Sequence, residues 1–413
     1  MDVFLASGRA HLTEETSTEI VVVTGNESAD LDSIISAITT SFFLSHLQVL
    51  GGNPIIVPFI NIPKSDLALR SDVLYILSSN DINIDNVYFR DDLPLLEQFA
   101  AKNPDQLSLF LVDHNIISET MASLAGVKVK GVIDHHVDEQ LYKDTAKIRR
   151  IETVGSCTSL VADEFLRRAT EKAASLDHRD GEQDMDEKHR PNWIKQATRM
   201  LLGAVLIDTV NLNPDYKKVT PLDLAVAKEI LPYTGWDNTD GVFGKIDKAR
   251  RDTSQLSWYD LLRKDYKEWT VSRHGSDDQT VKVGFSSVTG LVEKYVKRDG
   301  VDTIHKDIKT WSKTQDLDLL VIMLSDDLGE HQGGYQRQVI LNPITDKVGG
   351  FVDQFEALDE PKFERIKSID TDSFTKEGGR AYRQHNTALS RKQLWPMARK
   401  LLTEPPSQQT PNL

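Results

Sequence analysis

Short apolar runs, rich in β-branched residues, alternate with runs of helical period through the first third of this chain. Residues 19–24, 55–59, 86–89, 107–112 and 130–134 read as strands, and 32–49, 67–79 and 93–101 read as helices between them. In the first helix Ile34, Ile35, Ile38, Phe42 and Leu47 mark one apolar face, and Gly51-Gly52 ends it. Parallel neighbours need a crossover, and a helix supplies one here at nearly every step. The pattern therefore restricts the fold to an α/β class: a mostly parallel sheet with helices on both faces. Helical patterns continue at 156–171, 193–207 and 222–231.

Ligands in such a sheet bind beyond the carboxyl ends of the strands. Three polar motifs stand there, each directly after an apolar run: Asp30-Leu31-Asp32, Asp113-His114-Asn115 and Asp134-His135-His136. Each has an ordinary explanation on its own. Asp30 or Asp32 would cap the next helix, Asp and Asn turn strand ends, and paired histidines are common on surface loops. Together at one sheet edge they would repel each other without cations between them. Carboxylates and imidazoles suit Mg²⁺, Mn²⁺ or a similar ion. Asp208, at the end of the apolar run Val205-Leu206-Ile207, also needs a partner, either a cation or a buried ion pair. The expectation is a two-metal hydrolase.

The second half reads as a smaller α+β or α/β domain. Strands are expected near 281–286, 319–324, 337–341 and 348–352, and helices near 240–270, 288–299, 302–316 and 390–402. Pro232, Gly235 and their polar neighbours make 233–240 the expected hinge between a catalytic domain at 1–232 and a second domain at 241–403. Residues 175–191 carry six acids and few apolar side chains, so a disordered insertion is expected there, as is a disordered tail at 404–413.

Composition excludes several classes of partner. No apolar run approaches the roughly 20 residues of a membrane span. A net charge of −14 argues against non-specific nucleic-acid binding, although a locally positive cleft still suits a polyanion. The single cysteine, Cys157, fits a reducing compartment. The first residues lack a basic stretch followed by an apolar one, so a cytoplasmic location is expected, with a mitochondrial pool also compatible.

The order Asp-x-Asp, Asp-His-Asn, Asp-His-His and then Asp208-Thr209 resembles the DHH phosphoesterase superfamily. In the second half, Lys267 within Asp265-Tyr266-Lys267-Glu268-Trp269 and the run Ser390-Arg391-Lys392-Gln393 resemble the phosphate-binding domain shared by family II inorganic pyrophosphatases, prune proteins and fungal exopolyphosphatases. The resemblance implies two divalent cations, Mg²⁺ or Mn²⁺ with Co²⁺ as a third candidate. One would be held by Asn26, Asp30 and Asp113, and the other by Asp32, Asp113, His135 and Asp208. It also implies in-line attack of water on a terminal phosphorus, with His136 at the phosphoryl group and Asp134 orienting the histidines. Lys267, Arg391 and Lys392 would bind phosphate oxygens across an inter-domain cleft. Arg380 and His385, with Arg383, Lys294, Lys297 and Arg298, are candidates to extend a polyanion track.

Family II pyrophosphatases carry His where this chain has Asn26, which resembles the exopolyphosphatase and prune branch. An amide oxygen is a harder donor than imidazole and makes Mg²⁺ more competitive. The expected activity is release of terminal orthophosphate from inorganic polyphosphate by a monomer. The alternatives are an inorganic pyrophosphatase, or a prune-like protein acting on short polyphosphates or cyclic nucleotides and serving as an interaction partner.

Overall fold

The structure, a computed structural model, describes residues 1–11, 18–176, 192–272, 280–329, 331, 333–366 and 379–404. Apart from residues 175, 176 and 404, the expected insertion and tail lie outside the described residues. The chain divides into two compact units, Met1–Asp252 and Thr253–Leu413.

The first unit is built on a six-stranded sheet: β1 (Ile20–Thr24), β2 (Ile55–Ile60), β3 (Tyr88–Phe89), β4 (Leu107–Val112), β5 (Lys128–Asp134) and β6 (Ile148–Ile151). Their order is β3-β2-β1-β4-β5-β6, and every pairing is parallel. Side chains alternate across the sheet, as the pleat demands. Val21, Val23, Phe110, Val112 and Ile133 enter one core, with α2 (Leu31–Leu47), α5 (Cys157–Leu176) and α6 (Asn192–Asp208). Ile20, Val22, Leu109, Leu111 and Val132 enter the opposite core, against Leu96 and Phe99 of α4 (Leu93–Lys102) and the turn carrying Met121 and Leu124. Continuous apolar strands therefore reflect burial on both faces. The Phe110 ring of β4 fills the space over Gly131 of β5, where a Cβ would lie 2.1 Å from Phe110 Cε2. Among the remaining helices are α1 (Asp2–His11), α3 (Ser71–Ser79), α7 (Pro221–Thr234) and α8 (Asp240–Arg251).

Two boundaries differ from the sequence reading. Residues 233–240 join α7 to α8 inside the first unit rather than acting as a hinge between units. Helix α8 packs on α3 and α6, with Ile246 fully buried beside the space left by Gly203. Strand β6 was also missed: its Ile148-Arg149-Arg150-Ile151 lacks an apolar run. It is an edge strand whose arginines reach Asp138 and Asp163, a charged border that discourages edge-to-edge pairing.

The second unit also has a six-stranded sheet, but a mixed one. Its strands are β7 (Tyr266–Ser272), β8 (Thr280–Thr289), β9 (Leu319–Asp327), β10 (Tyr335–Pro343), β11 (Phe363–Arg365) and β12 (Arg380–Gln384), in the order β11-β12-β10-β9-β8-β7. Only β8 and β9 pair in parallel. The helices are α9 (Trp258–Lys264), α10 (Val292–Asp299), α11 (Val301–Thr314), α12 (Phe351–Glu356) and α13 (Arg391–Thr403). The strand expected at 348–352 is instead the end of a 3₁₀ turn and the start of α12. Gly350 sits at φ +77° before the helix, and Phe351, Val352 and Phe355 share its buried face.

Candidate active site

The order β3-β2-β1-β4-β5-β6 reverses direction between β1 and β4, and the crevice beyond such a reversal is where open α/β sheets bind ligands. The three polar motifs follow β1, β4 and β5, the strands at and beside that point. With Asp208 from the end of α6, they line a cavity of about 490 Å³ that includes Asn26, Asp30, Asp32, Asp113, His135 and His136. Residues more than 180 positions apart in sequence thus share one wall.

Each carboxylate is held differently. Asp30 caps α2, accepting from Ser33 N at 3.1 Å, so the helix-cap reading holds for this residue while it also lines the cavity. Asp32 lies against the N-terminus of α5: its oxygens accept from Cys157 N at 2.7 Å, Thr158 N at 2.8 Å and Ser156 Oγ at 2.8 Å. Asp113 has φ +59°, a left-handed turn that carries the chain sharply off β4. Asn26 Nδ2 donates to its Oδ2 at 2.8 Å and to its carbonyl at 3.1 Å. The Asn26 amide oxygen instead accepts from Ser28 N, Ser28 Oγ and Ala29 N. Asn26 is therefore placed at the site as a donor that fixes Asp113, with its oxygen turned into its own loop and away from the ligand position expected for it.

The histidines are oriented by distinct acceptors. His135 Nδ1 donates to Val154 O at 3.1 Å, leaving Nε2 facing Asp113 Oδ1 at 3.1 Å and Asp32 Oδ2 at 3.8 Å. His136 Nδ1 donates to Asp134 Oδ1 at 2.8 Å, which leaves Nε2 open. Asp134 is fully buried. It also accepts from the backbone N–H of His135 and His136, and from Asn115 Nδ2. Asp134 thus orients the His136 imidazole and Val154 O that of His135.

Charge crowding is severe. Burial and the Asp32 charge push Asp113 up to about 7. Burial and the charges of Asp32 and Asp30 push Asp208 well above the carboxylate range. Burial opposes a charged His135, but its contact with Asp113 and the Asp32 charge outweigh this and raise it to about 10. Asp113 Oδ1 and Asp208 Oδ2 are buried and accept no well-aligned hydrogen bond. Buried carboxylate oxygens without well-aligned donors, with His135 Nε2 3.1 Å from one of them, fit a divalent cation, whose binding would displace the imidazole proton. One ligand atom each from Asp113, His135 and His136 lies within 4.8 Å of the others.

Two family models match the chain: the DHH family N-terminal domain at residues 20–196 and the DHHA2 domain at residues 244–401. The chain is 30% identical to Exopolyphosphatase PRUNE1 of Rattus norvegicus, over 98% of this chain and 79% of that protein. The chain belongs to the DHH family. Other DHH-family relatives include a Schizosaccharomyces pombe protein named "Putative exopolyphosphatase", 29% identical over 95% of this chain and 96% of that one. A manganese-dependent inorganic pyrophosphatase of Methanocaldococcus jannaschii is 23% identical over 75% of this chain and 83% of its own.

In this DHH-family chain the basic residues of the second unit fall into two groups. Ser390 caps α13 in a capping box with Gln393, and Arg391 donates to Asp265 Oδ1 at 2.8 Å. Helix α13 packs on β7, where Trp395 stacks on Trp269 at 4.3 Å. Lys267 and Lys392 are exposed. The expected outer track is different. Arg380 forms ion pairs with Asp353 and Glu356 at 2.7 and 2.6 Å, and His385 meets Glu364 at 2.7 Å. Arg298 is bound to Asp299 and to two backbone carbonyls, and Lys294 reaches Thr253 Oγ1. Arg380, His385, Lys294 and Arg298, like Arg391, therefore have protein partners that a polyanion would have to replace. Arg383 and His385 do line a cavity of about 470 Å³ with Arg337, but none of the motif carboxylates does.

Several site residues escaped the sequence reading. The loop 153–158 supplies Val154 O to His135 and three donors to Asp32. Its signal was the Gly155-Ser156 pair directly before a helix. Asp223, fully buried, ties this loop down by accepting from Gly155 N at 2.9 Å and Ser159 Oγ at 2.6 Å. Lys217 and Lys218 line the cavity with no motif to announce them.

Proposed function

We propose that this chain is an exopolyphosphatase that removes terminal orthophosphate from inorganic polyphosphate with divalent cations, acting as a cytoplasmic monomer. The observation carrying this reading is the set of Asp32, Asp113, Asp208 and His135 around one cavity, with one buried oxygen each of Asp113 and Asp208 left without a well-aligned donor. The names of the Schizosaccharomyces pombe and PRUNE1 relatives support the substrate. No helix among the described residues is long and apolar enough to cross a membrane.

In this reading Asp30, Asp32, Asp113, His135 and Asp208 hold two cations. When bound, the cations neutralise phosphate oxygens and acidify water for in-line displacement. Asn26 holds Asp113 in place rather than ligating. Asp134 keeps the His136 proton on Nδ1 and, chiefly through that hydrogen bond, raises His136 above its ordinary value. A protonated His136 donates from Nε2 to the oxygen that leaves. Lys267, Arg391 and Lys392 bind oxygens of the leaving chain.

A substrate panel tests the proposal: long polyphosphate, tripolyphosphate, pyrophosphate and a cyclic nucleotide, each with Mg²⁺, Mn²⁺ or excess EDTA. Orthophosphate release from both polyphosphates, abolished by EDTA, is expected. Turnover confined to pyrophosphate or to the cyclic nucleotide would replace this function with one of the alternatives.

A further inference from the structure

Lys217 and Lys218 stand on the wall of the carboxylate cavity, opposite in charge to the four aspartates that share it. We infer that they form a subsite for the non-reacting phosphate groups of a condensed-phosphate substrate, carried on the same unit as the catalytic cluster. The inference rests on the exopolyphosphatase reading and extends it to residues that no motif assigns.

The first argument is that both charges are free. Arg149, Arg150 and Arg380 each lie within 3 Å of a carboxylate oxygen. Lys217 and Lys218 are exposed and have no ion-pair partner among the described residues, although four carboxylates share their cavity. The second is that their place is built. Asn213 closes the turn Pro214–Tyr216 by accepting from Asp215 N at 2.9 Å. Lys217 follows at φ +55° with its N–H on Pro214 O. The Lys218 carbonyl packs so closely on Gly155 that a Cβ there would lie 2.6 Å from it. Asp223 accepts from Gly155 N on one side and from Thr220 N and Oγ1 on the other. One buried carboxylate therefore couples the lysine loop to the loop that holds Asp32 and His135.

The third argument is charge balance. Two divalent cations cancel four carboxylates, so the lysines then give the cavity a net positive wall facing a chain with a negative charge on each phosphate. Lysine suits such a wall, because a compact ammonium on a flexible stem binds phosphate as a point charge, without the fixed fork of arginine. A repeating ligand that advances by one unit after each cleavage needs that tolerance.

The test compares the double variant Lys217→Ala/Lys218→Ala with Lys228→Ala, an exposed lysine on α7, and with the double Lys→Arg variant. For polyphosphate the double alanine variant is expected to raise KM at least roughly tenfold, with kcat within about threefold. Its KM should depend less on salt, and Mn²⁺ affinity measured by calorimetry without substrate should be unchanged. The arginine variant should recover most of the KM. A KM change no larger than that of Lys228→Ala overturns the subsite, as does a parallel loss of Mn²⁺ affinity. If the unaltered protein does not hydrolyse polyphosphate, the function reading fails on its own. The subsite is then decided by titrating imidodiphosphate into the Mn²⁺-loaded protein: binding lost in the double alanine variant sustains it, and equal binding overturns it.

Discussion

Asp113 concentrates the constraints of the site. It sits in a left-handed turn, takes two hydrogen bonds from Asn26 and faces His135, while one of its oxygens is buried without a donor. Without cations such a carboxylate holds its proton longer than usual. Its folded value of about 7 lies above the ordinary 3.9 or so of an unfolded chain. The stability it contributes is therefore present at low pH and lost as pH rises through 7. His135, raised to about 10 from a lower unfolded value, extends the loss in the same direction at higher pH. EDTA-treated protein should show a Tm that falls between pH 5 and 8.5, by an amount equivalent to a few kcal/mol. Asp113→Asn should flatten the pH 5–7 part of that slope and abolish turnover. Added Mn²⁺ should raise the Tm most at the alkaline end, because cation and proton compete for the same groups. A metal-free Tm that is level or rising across this window would contradict the crowded-carboxylate account. Asn26 is instructive for another reason: its place beside Asp113 was legible from its neighbours, but the orientation of its amide was not. A sequence shows an amide at the ligand position without showing which end of it faces the site.

At the scale of elements, strands buried on both faces were legible, as was the short apolar edge β3, and the charged borders were not. β1, β4 and β5 announce themselves as apolar runs, and their ends carry the chemistry. β6, β7 and β12 lie at or near sheet borders and mix charged with apolar residues, so no period stands out. The partners of Arg380 and His385 were hidden for the same reason: along the sequence they look like free cations, and on β12 and just beyond it they face Glu356 and Glu364. The loop 153–158 illustrates a further limit, because its hydrogen bonds run to Asp32 more than 120 positions away. Asp223→Ala should strand the buried Ser159 hydroxyl and the half-buried Gly155 and Thr220 donors and cost about 3 kcal/mol. Because that loop carries the acceptor of His135 and the donors of Asp32, metal affinity should fall as well. Leu96→Ala, in the core on the opposite side of the sheet, should destabilise by a similar amount, about 2–5 kcal/mol. It should leave metal affinity unchanged. Equal metal affinity in the two variants would reduce Asp223 to a general stabiliser.

Over the whole molecule, the division into a parallel α/β unit and a smaller mixed unit was legible from the change of pattern. The border was not. Pro232 and Gly235 look like a linker, yet the helix after them buries Ile246 in the first unit, and the division falls at Asp252. Punctuation residues mark where a helix ends; only burial tells which body the next one joins. The chain also carries its own spectator of the site. Its one cysteine, Cys157, begins α5, donates its backbone N–H to Asp32, and points its thiol at the carbonyl of Ile133 two residues before His135. The sulfur is fully buried, so a thiol reagent reaches it only when the strand end and the loop part. The rate of alkylation thus clocks how often the cluster opens, with no label introduced. Mn²⁺ that closes the cluster should slow that clock in proportion to its occupancy. Alkylation equally fast with and without Mn²⁺ would mean that the cations do not brace this corner of the fold.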